Sequence, residues 1–302
     1  MSATLERWLG TSKNHKMRPM VRIGAVNYLN SKPLVCGLEA LAPEVRLTFD
    51  LPSRLADSLS ACRLDVALIP TVEYFRAPGY RVVSDACVAC RGPVLSVKLH
   101  FRVPPNEVRR VALDEGSRTS SALTQILLAE LHGVRPKLEP LPIGCGSDAS
   151  DADAVLLIGD RAIVGREPPK GCPAWSREAE EEFCEIWDLG EVWCRWTALP
   201  FVFAMWIARP DAQAVEIAPM LNAARDDGLR QLARIAAQEA NVLGISRELA
   251  HRYLRDNLHF KLGRKERAGL RMFYQLCVKH GLAPAGLEPT LDSYTDYGCA
   301  AT

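Results

Sequence analysis

The sequence predicts an α/β protein made of two lobes. At 302 residues the chain is longer than a single hydrophobic core usually supports. Short apolar runs alternate with helical patterns, which is typical of parallel strands joined by crossover helices. A stiff Pro104-Pro105 step and a later β-prone run mark two points where the chain would pass between lobes. We therefore expect an N-terminal extension over 1–20, a discontinuous first lobe over 21–101 plus 202–302, and a second lobe over 102–201.

The first element is an apolar run over 21–26 that ends in small polar residues followed by Pro33. Proline suits the first turn of a helix, because that turn has no use for the missing N–H, so the pattern predicts a strand feeding a helix. Asn30 and Ser31 at the junction are natural N-cap residues. A helix start also offers free N–H groups and partial positive charge, which suit an anion. Asn30 and Ser31 therefore either cap the helix or bind a ligand.

The next elements continue the alternation. Residues 45–50 alternate as a strand does, a helical pattern begins at Pro52, and 65–70 is a short apolar run closed by proline. In open parallel sheets, ligands bind beyond the carboxyl ends of the strands. Asn30 and Thr71 both follow such ends.

A second strand-to-helix junction lies beyond the expected hinge. The run 94–101 predicts a strand, as does 109–114, and helical spacing begins after a polar turn. Arg118 in this turn would either clamp a carboxylate or turn to solvent or to Asp114 or Glu115. The polar residues of the turn are Ser117, Arg118, Thr119 and Ser120.

The rest of the chain adds one further candidate. Residues 136–150 have the composition of a loop, and 154–160 predict a buried strand that delivers Asp160 to its carboxyl end. The tryptophan-rich stretch 187–196 is either a stacking platform or part of the core. Residues 201–208 are strongly β-prone, and the remainder shows helical spacing.

Composition excludes several classes of function. The 37 basic and 36 acidic residues are interspersed and give a net charge of +1, so no basic stripe exists for nucleic acid. No window is long and apolar enough to cross a bilayer. Residues 1–20 lack the apolar segment and cleavage site of a signal peptide, which predicts a cytoplasmic protein. We expect a monomer or a homodimer, between which the sequence does not decide.

No motif for metal, nucleotide or nucleophilic chemistry is present, and the six histidines share no ligand spacing. Cys87 and Cys90 form a C-x-x-C, which is either part of a metal or redox site or a pair of thiols packed within a strand. The two polar junctions remain as the candidate site. If the lobes face each other, their N–H groups and hydroxyls converge on a small carboxylate-bearing ligand, and closure excludes water.

Several motifs together resemble chorismate dehydratases of the futalosine route to menaquinone. The resemblance spans roughly residues 21 to 282 and is far more specific than any single string. The strings are IGAVNYLNSKPL from Ile23, DVALIPTVEY from Asp65, SRTS from Ser117, LIGD from Leu157, LPFVFA from Leu199 and NLHF from Asn257.

The resemblance implies a type II periplasmic-binding-protein-like fold, with the ligand in a cleft between two lobes. Similar enzymes are lyases that eliminate water from chorismate to give 3-[(1-carboxyvinyl)oxy]benzoate, without metal or organic cofactor. Asn30 matches the asparagine that the family uses in catalysis. The resemblance also implies that Thr71, Ser96, Thr119 and Ser120 lie around the ligand. Together with the two junctions, the expected substrate-binding set is Ser31, Thr71, Ser96, Ser117, Arg118, Thr119, Ser120 and Asp160.

Two features depart from the family pattern. The extension lies outside it, and Ala198 stands where a glycine is common in a Thr-Gly-Leu-Pro string. Two alternatives stay open: a binding protein of the same fold for small carboxylates, and the sister enzyme that makes 1,4-dihydroxy-6-naphthoate. The sister enzyme has a histidine near the end of the strand matching 155–160. Here that strand ends in Gly159-Asp160, which favours the dehydratase.

Overall fold

The computed structural model describes residues 20–42, 45–163, 183–212 and 217–286. Their strands form two sheets with helices packed on each, so the predicted α/β architecture is confirmed. We call each sheet with its helices a lobe. Nearly all of the expected N-terminal extension, residues 1–19, lies outside the described residues.

The first sheet contains six strands, and its first three were predicted from the alternation of apolar runs with helices. Those three strands are mutually parallel, while the fifth in chain order runs antiparallel to both of its neighbours. The strands are β1 (Val21–Val26), β2 (Val45–Asp50), β3 (Val66–Pro70), β4 (Arg81–Cys90), β10 (Phe201–Ala208) and β11 (His259–Lys261), in the order β11-β4-β10-β3-β1-β2.

The second sheet contains five strands, of which the central ones are buried. Its strands are β5 (Val97–Phe101), β6 (Arg110–Asp114), β7 (Lys137–Leu141), β8 (Ala154–Ile158) and β9 (Glu185–Asp188), in the order β7-β6-β8-β5-β9. Strand β6 is parallel to β7 and β8, whereas β5 is antiparallel to β8 and β9.

The position of β5 corrects the expected boundary of the first lobe. The alternation over 94–101 predicts this strand, which the expected boundary assigns to the first lobe. It instead pairs with β8 and β9 of the second sheet. The chain therefore crosses between the sheets before β5, over 91–96, and returns between β9 and β10. A period of two identifies a strand but not the partner beside it.

Strand β7 corrects a second expectation, since 136–150 were expected to form a loop. Lys137–Leu141 lies at the edge of the second sheet and includes Pro140. Proline donates no hydrogen bond to a neighbouring strand, so an edge position tolerates it. The polar composition reflects this exposed edge.

Short helices connect the strands, and longer ones cover the sheets. None of the helices in the described ranges combines the length and the apolar character needed to cross a membrane. The α-helices are α1 (Leu38–Leu41), α2 (Pro52–Ser60), α3 (Thr71–Arg76), α4 (Arg118–His132), α5 (Asp160–Ile163), α6 (Leu189–Thr197), α7 (Ala218–Arg230), α8 (Leu232–Leu243), α9 (Arg247–Arg252) and α10 (Arg264–Lys279). The 3-10 helices cover Leu29–Val35, Pro105–Glu107 and Ser147–Ala149, and a π-helical turn covers Tyr253–Asn257.

The residues left ambiguous by the sequence pack inside the protein. Cys87 and Cys90 are fully buried on β4, and burial raises the pKa of the Cys87 thiol well above its usual value. Thiols in that state are poor metal ligands and nucleophiles, so the C-x-x-C is structural. Trp193 is also fully buried and donates through Nε1 to the Pro200 carbonyl oxygen at 3.2 Å, so the tryptophan-rich stretch belongs to the core.

Ala198, the departure noted in the sequence, ends α6 with φ of 58°. This left-handed conformation is one that glycine adopts freely and alanine adopts at a cost. The glycine common at the matching family position thus has a conformational reason.

Candidate functional site

A cavity lies where strand ends of the two sheets meet. About 530 Å³ of space between protein atoms lies here, and this figure includes space that is open to solvent. Most of its wall is apolar, with a few polar groups, which is typical of a site for a small molecule. The apolar lining residues include Val26, Leu68, Pro70, Val88 and Phe203 from the first sheet, and Val97 and Ile158 from the second.

The polar wall of this cavity comes from both lobes. Asn30 lies on the first lobe, Ser96 on the crossing segment, and Ser117 and Ser120 at the start of α4. The structure thus brings together four of the residues singled out from the sequence. Their contact with substrate stays a prediction.

Asn30 lies within the 3-10 helix Leu29–Val35, whose N-cap position is taken by Tyr28. The expectation that Asn30 or Ser31 caps this helix is therefore wrong. Ser31 is fully buried, and its hydroxyl donates to the carbonyl oxygens of Val26 and, at 2.9 Å, of Tyr28. Ser31 thus holds the turn after β1 and does not line the cavity. The half-buried Asn30 is left to face it.

Ser96 is positioned by a bent crossing segment. Leu95 has a φ of 61°, in the left-handed region that branched side chains rarely adopt. The Asp188 carboxylate accepts from the N–H groups of Val94 at 2.9 Å and Leu95 at 2.7 Å, which holds this bend. The Ser96 carbonyl then accepts from the Gly159 N–H at 2.8 Å, so the serine is fixed between two strand ends.

The second junction forms as the sequence predicted, between β6 and α4. Ser117 is the N-cap of α4 and accepts from the Ser120 N–H at 3.3 Å. Its hydroxyl also donates to the Ser120 hydroxyl oxygen at 2.8 Å. Both hydroxyls lie at the helix start, where partial positive charge favours an anion.

Arg118 turns away from the cavity, contrary to the hypothesis that it clamps a carboxylate. Its guanidinium pairs with Asp57 at 2.7 Å and with Glu73 at 3.4 Å, both on the first lobe. It lines a separate surface depression beside Asp114 and Glu115. The alternative that paired it with Asp114 or Glu115 is also wrong, because its acidic partners come from α2 and α3.

Thr71 and Thr119 are fully buried and do not line the cavity. The Thr119 hydroxyl oxygen accepts from the Val72 N–H at 3.2 Å, which joins α4 to the start of α3. The Thr71 hydroxyl has no hydrogen-bond partner among the described residues. Thr119 therefore connects the lobes, while Thr71 supplies a polar group that its surroundings leave unsatisfied.

Asp160 also connects the lobes. Its carboxylate, at the start of α5, accepts from the Leu29 N–H at 3.1 Å. Burial raises the pKa of Asp160 to about 6, and this hydrogen bond acts in the opposite direction. The residue anchors the turn that carries Asn30 but does not line the cavity.

Tyr28 is a lining residue that the sequence analysis did not select. A Cβ added at Gly159 would lie 2.9 Å from the Tyr28 ring, so only glycine allows this close approach. Burial raises the pKa of Tyr28 to about 12, so its hydroxyl is a neutral donor near pH 7. In the sequence, the position of Tyr28 between β1 and Asn30 was the feature that could have identified it as a lining residue.

Within the described ranges, no group of three histidine, cysteine, aspartate or glutamate residues is placed to hold a metal ion. The cavity instead offers hydroxyl, amide and phenol groups. These groups suit hydrogen bonding to oxygen atoms of an anionic ligand.

Known enzymes of one biosynthetic route are similar to this chain. A chorismate dehydratase of Thermus thermophilus is 34% identical over 271 residues, covering 85% of this chain and 94% of the relative. The family described as menaquinone biosynthesis matches residues 21–279.

Solved structures share the two-lobe fold at low sequence identity. The alkanesulfonate-binding protein SsuA of Xanthomonas axonopodis pv. citri, bound to MOPS, has a TM-score of 0.57 at 17% identity, covering 88% of this chain and 95% of its own. The Candida albicans CA3427 product, described as having the generic periplasmic binding protein fold, has a TM-score of 0.57 at 11% identity, covering 86% and 90%. The predicted periplasmic-binding-protein-like fold is therefore confirmed, and by the family match and the 34% identical relative this chain belongs to the menaquinone biosynthesis family.

Proposed function

We propose that the protein is a chorismate dehydratase, a lyase that eliminates water from chorismate to give 3-[(1-carboxyvinyl)oxy]benzoate. This reaction would be the first step of the futalosine route to menaquinone. The observation that carries the proposal is the cavity lined by Asn30 and three serines in a chain 34% identical to a chorismate dehydratase. A cytoplasmic location and a monomeric or homodimeric state belong to the same proposal.

The cavity matches the chemistry of the substrate. Chorismate has two carboxylates, a hydroxyl group and an apolar ring. Hydroxyl donors at Ser96 and Ser120 suit the carboxylates, and the apolar wall suits the ring. The Ser117 hydroxyl donates to that of Ser120 and so orients it. Donors at the start of α4 gain from the helix dipole.

The reaction needs alignment more than a strong base. A ring C–H bond and the C–O bond of the hydroxyl break, and the released proton and hydroxide leave as water while the ring becomes aromatic. Asn30 cannot accept a proton near pH 7, so its role is to orient the substrate and hydrogen-bond to reacting oxygen atoms.

The proton acceptor in this proposal is the enolpyruvyl carboxylate of the substrate itself. Asp160 and Glu73 are the alternative proton acceptors on the protein. Asp160 is engaged by the Leu29 N–H, Glu73 is paired with Arg118 and Arg76, and neither lines the cavity. These contacts support the substrate as its own base.

Incubation with chorismate tests the proposal. The ultraviolet spectrum reports the loss of the cyclohexadiene and the appearance of a benzoate ring, and mass spectrometry identifies a product lighter by one water. Calorimetry on the same sample measures binding. Binding without consumption would identify a carboxylate-binding protein, and consumption of the sister enzyme's substrate instead would identify the naphthoate-forming activity.

A further inference from the structure

Tyr28 belongs to the first lobe, but its side chain packs against two glycines of the second. The residue lies shortly after β1 and takes the N-cap position of the 3-10 helix. A Cβ added at Gly159 would lie 2.9 Å from the tyrosine ring, and one added at Gly116 would lie 3.6 Å from the phenol oxygen. The ring therefore rests on Gly159, and the hydroxyl lies beside the residue that precedes Ser117, the N-cap of α4.

The Tyr28 hydroxyl is a hydrogen-bond donor without an acceptor among the described residues, and Tyr28 lines the cavity. Burial raises the pKa of Tyr28 to about 12, so the phenol keeps its proton near pH 7. The nearby Asp114 carboxylate already accepts from the Gly116 N–H at 2.9 Å and from the Arg161 guanidinium. The phenol proton is therefore available to a ligand.

Ser120 supplies a second available donor in the same wall. The residue is only 1% exposed and lines the cavity, and its hydroxyl oxygen accepts from the Ser117 hydroxyl at 2.8 Å. A hydroxyl also donates, and within the described ranges the Ser120 proton has no acceptor. Two available donors beside the start of a helix of 15 residues suit a carboxylate, because both of its oxygen atoms accept hydrogen bonds.

Chorismate has one carboxylate on its ring and another on its enolpyruvyl group, and the proposed reaction distinguishes them. Hydrogen-bond donors and a helix dipole favour the charged form of a carboxylate and so make it a weaker base. The enolpyruvyl carboxylate accepts the proton in the proposed reaction, so such contacts would hinder it. The ring carboxylate takes no part in bond breaking and can be held tightly.

We propose that Tyr28 and Ser120 bind the ring carboxylate of chorismate at the start of α4, so that Tyr28 determines which end of the substrate enters this side of the cavity. The inference rests on the proposed function and deepens it. One carboxylate is then shared by a hydroxyl from each lobe. The contact is the same before and during the elimination, so its loss affects binding and not the chemical step.

The variant Tyr28→Phe removes the hydroxyl and keeps the ring on Gly159. Loss of one hydrogen bond to a charged group should weaken binding of 3-[(1-carboxyvinyl)oxy]benzoate about tenfold or more. It should raise KM for chorismate by a similar factor, with kcat changed less than about threefold. The thermal midpoint should equal that of the wild type, since the phenol bonds to none of the described residues.

Tyr80→Phe is the matched control. The Tyr80 hydroxyl likewise makes no hydrogen bond among the described residues, but Tyr80 does not line the cavity. This variant should retain the wild-type KM and kcat.

Two analogues of the product, each with a single carboxylate, identify the group that Tyr28 binds. NMR titration measures their affinities, including weak ones. Tyr28→Phe should weaken binding of 3-methoxybenzoate, which retains the ring carboxylate, about tenfold. It should change the affinity for 2-phenoxyacrylate, which retains the enolpyruvyl group, by less than about twofold. The opposite pattern, equal losses for both analogues, or an unchanged affinity of Tyr28→Phe for 3-[(1-carboxyvinyl)oxy]benzoate would overturn the proposal.

The same measurements distinguish failure of this inference from failure of the proposed function. If the wild type binds 3-[(1-carboxyvinyl)oxy]benzoate but does not convert chorismate, the proposed function fails, and the titrations still test Tyr28. If the wild type converts chorismate and Tyr28→Phe retains the wild-type KM, only the inference about Tyr28 fails. A wild type that does not bind 3-[(1-carboxyvinyl)oxy]benzoate contradicts both.

Discussion

Asn30 and Ser31 are neighbours in the chain but have different tasks. Ser31 satisfies two backbone carbonyl oxygens below the turn, and this inward contact fixes the 3-10 helix. Asn30 is thereby presented to the cavity with its side chain not needed for capping. These different roles arise because Tyr28 takes the N-cap position, so that Asn30 and Ser31 lie within the helix.

Asp160 is a residue whose ionisation links stability to pH. Burial raises its pKa to about 6 in the folded state, against about 4 in an unfolded chain. The folded state holds the proton more tightly than the unfolded chain, so the protonated carboxyl group adds to the free energy of unfolding. That contribution is complete below about pH 4 and is lost as the pH rises to about 6. We therefore expect Asp160→Asn to be more stable than the wild type at about pH 7.5. The free energy of unfolding of the variant minus that of the wild type should be about 2 kcal/mol higher at about pH 7.5 than at about pH 4.

Urea unfolding at the two pH values measures this difference. Asparagine can still accept from the Leu29 N–H through its amide oxygen, so the contact between the lobes is retained. Asp148→Asn serves as control, because Asp148 is exposed. The difference in free energy of unfolding between this variant and the wild type should be the same at both pH values. A stability difference for Asp160→Asn that is the same at both pH values would contradict the assignment.

At the residue scale, the sequence predicted the positions of residues near the cavity better than the directions of their side chains. Asn30, Ser117 and Ser120 were found because polar residues after strand ends meet in parallel sheets. The side chains of Ser31 and Arg118 turned elsewhere, because their partners come from the backbone and from a helix of the other lobe. Such partners are distant in sequence or depend on a turn type that local composition does not specify.

Among the elements, α7 packs closely against the 3-10 helix that carries Asn30 and fixes its position. Gly228 of α7 lies against Pro33, and a Cβ added there would be 2.0 Å from the Pro33 carbonyl oxygen. The neighbour is backbone, so one of the two elements must move. We expect Gly228→Ala to lower the free energy of unfolding by about 3 kcal/mol, although alanine favours helix formation elsewhere.

Denaturant unfolding and chorismate turnover measured together test this packing. A displaced 3-10 helix should also lower kcat, since Asn30 moves with it. Gly92→Ala is the control, because nothing lies within 4 Å of a Cβ at that position. Unchanged stability for Gly228→Ala would show that the two elements do not depend on this contact.

The strands divide into those that a local pattern can identify and those that depend on context. Buried β1, β3 and β8 follow from short apolar runs closed by glycine, proline or polar residues. The edge strand β7 does not, because its exposed side chains and proline resemble a loop. The lobe to which β5 belongs was set by pairing with β8, which lies more than fifty residues later in the chain.

At the scale of the whole molecule, four of the contacts that join the lobes among the described residues lie near the cavity. Three are hydrogen bonds: the Leu29 N–H to Asp160, the Val72 N–H to Thr119, and the Ser53 N–H to the Gly116 carbonyl at 3.2 Å. The fourth is the ion pair of Arg118 with Asp57 and Glu73. Together they hold Asn30 opposite Ser117 and Ser120.

Arg118→Ala should weaken lobe closure without affecting the chemistry. A partly exposed ion pair contributes up to about 1 kcal/mol, so KM for chorismate should rise about threefold to fivefold while kcat stays within about twofold. Arg195→Ala, which removes an ion pair with Glu191 inside α6, should leave both constants unchanged. A loss of kcat/KM beyond about a hundredfold would instead mean that Arg118 holds a substrate carboxylate, as a clamp would.

The most direct measurement is the conversion of chorismate by the wild-type protein and by Asn30→Ala, followed by ultraviolet absorption with the product identified by mass. Asn27→Ala is the matched control, since Asn27 is exposed and accepts only from Lys32 among the described contacts. We expect wild type and Asn27→Ala to form 3-[(1-carboxyvinyl)oxy]benzoate, and Asn30→Ala to be slower by about a hundredfold or more. Equal rates for all three proteins, or no product from the wild type, would contradict the account.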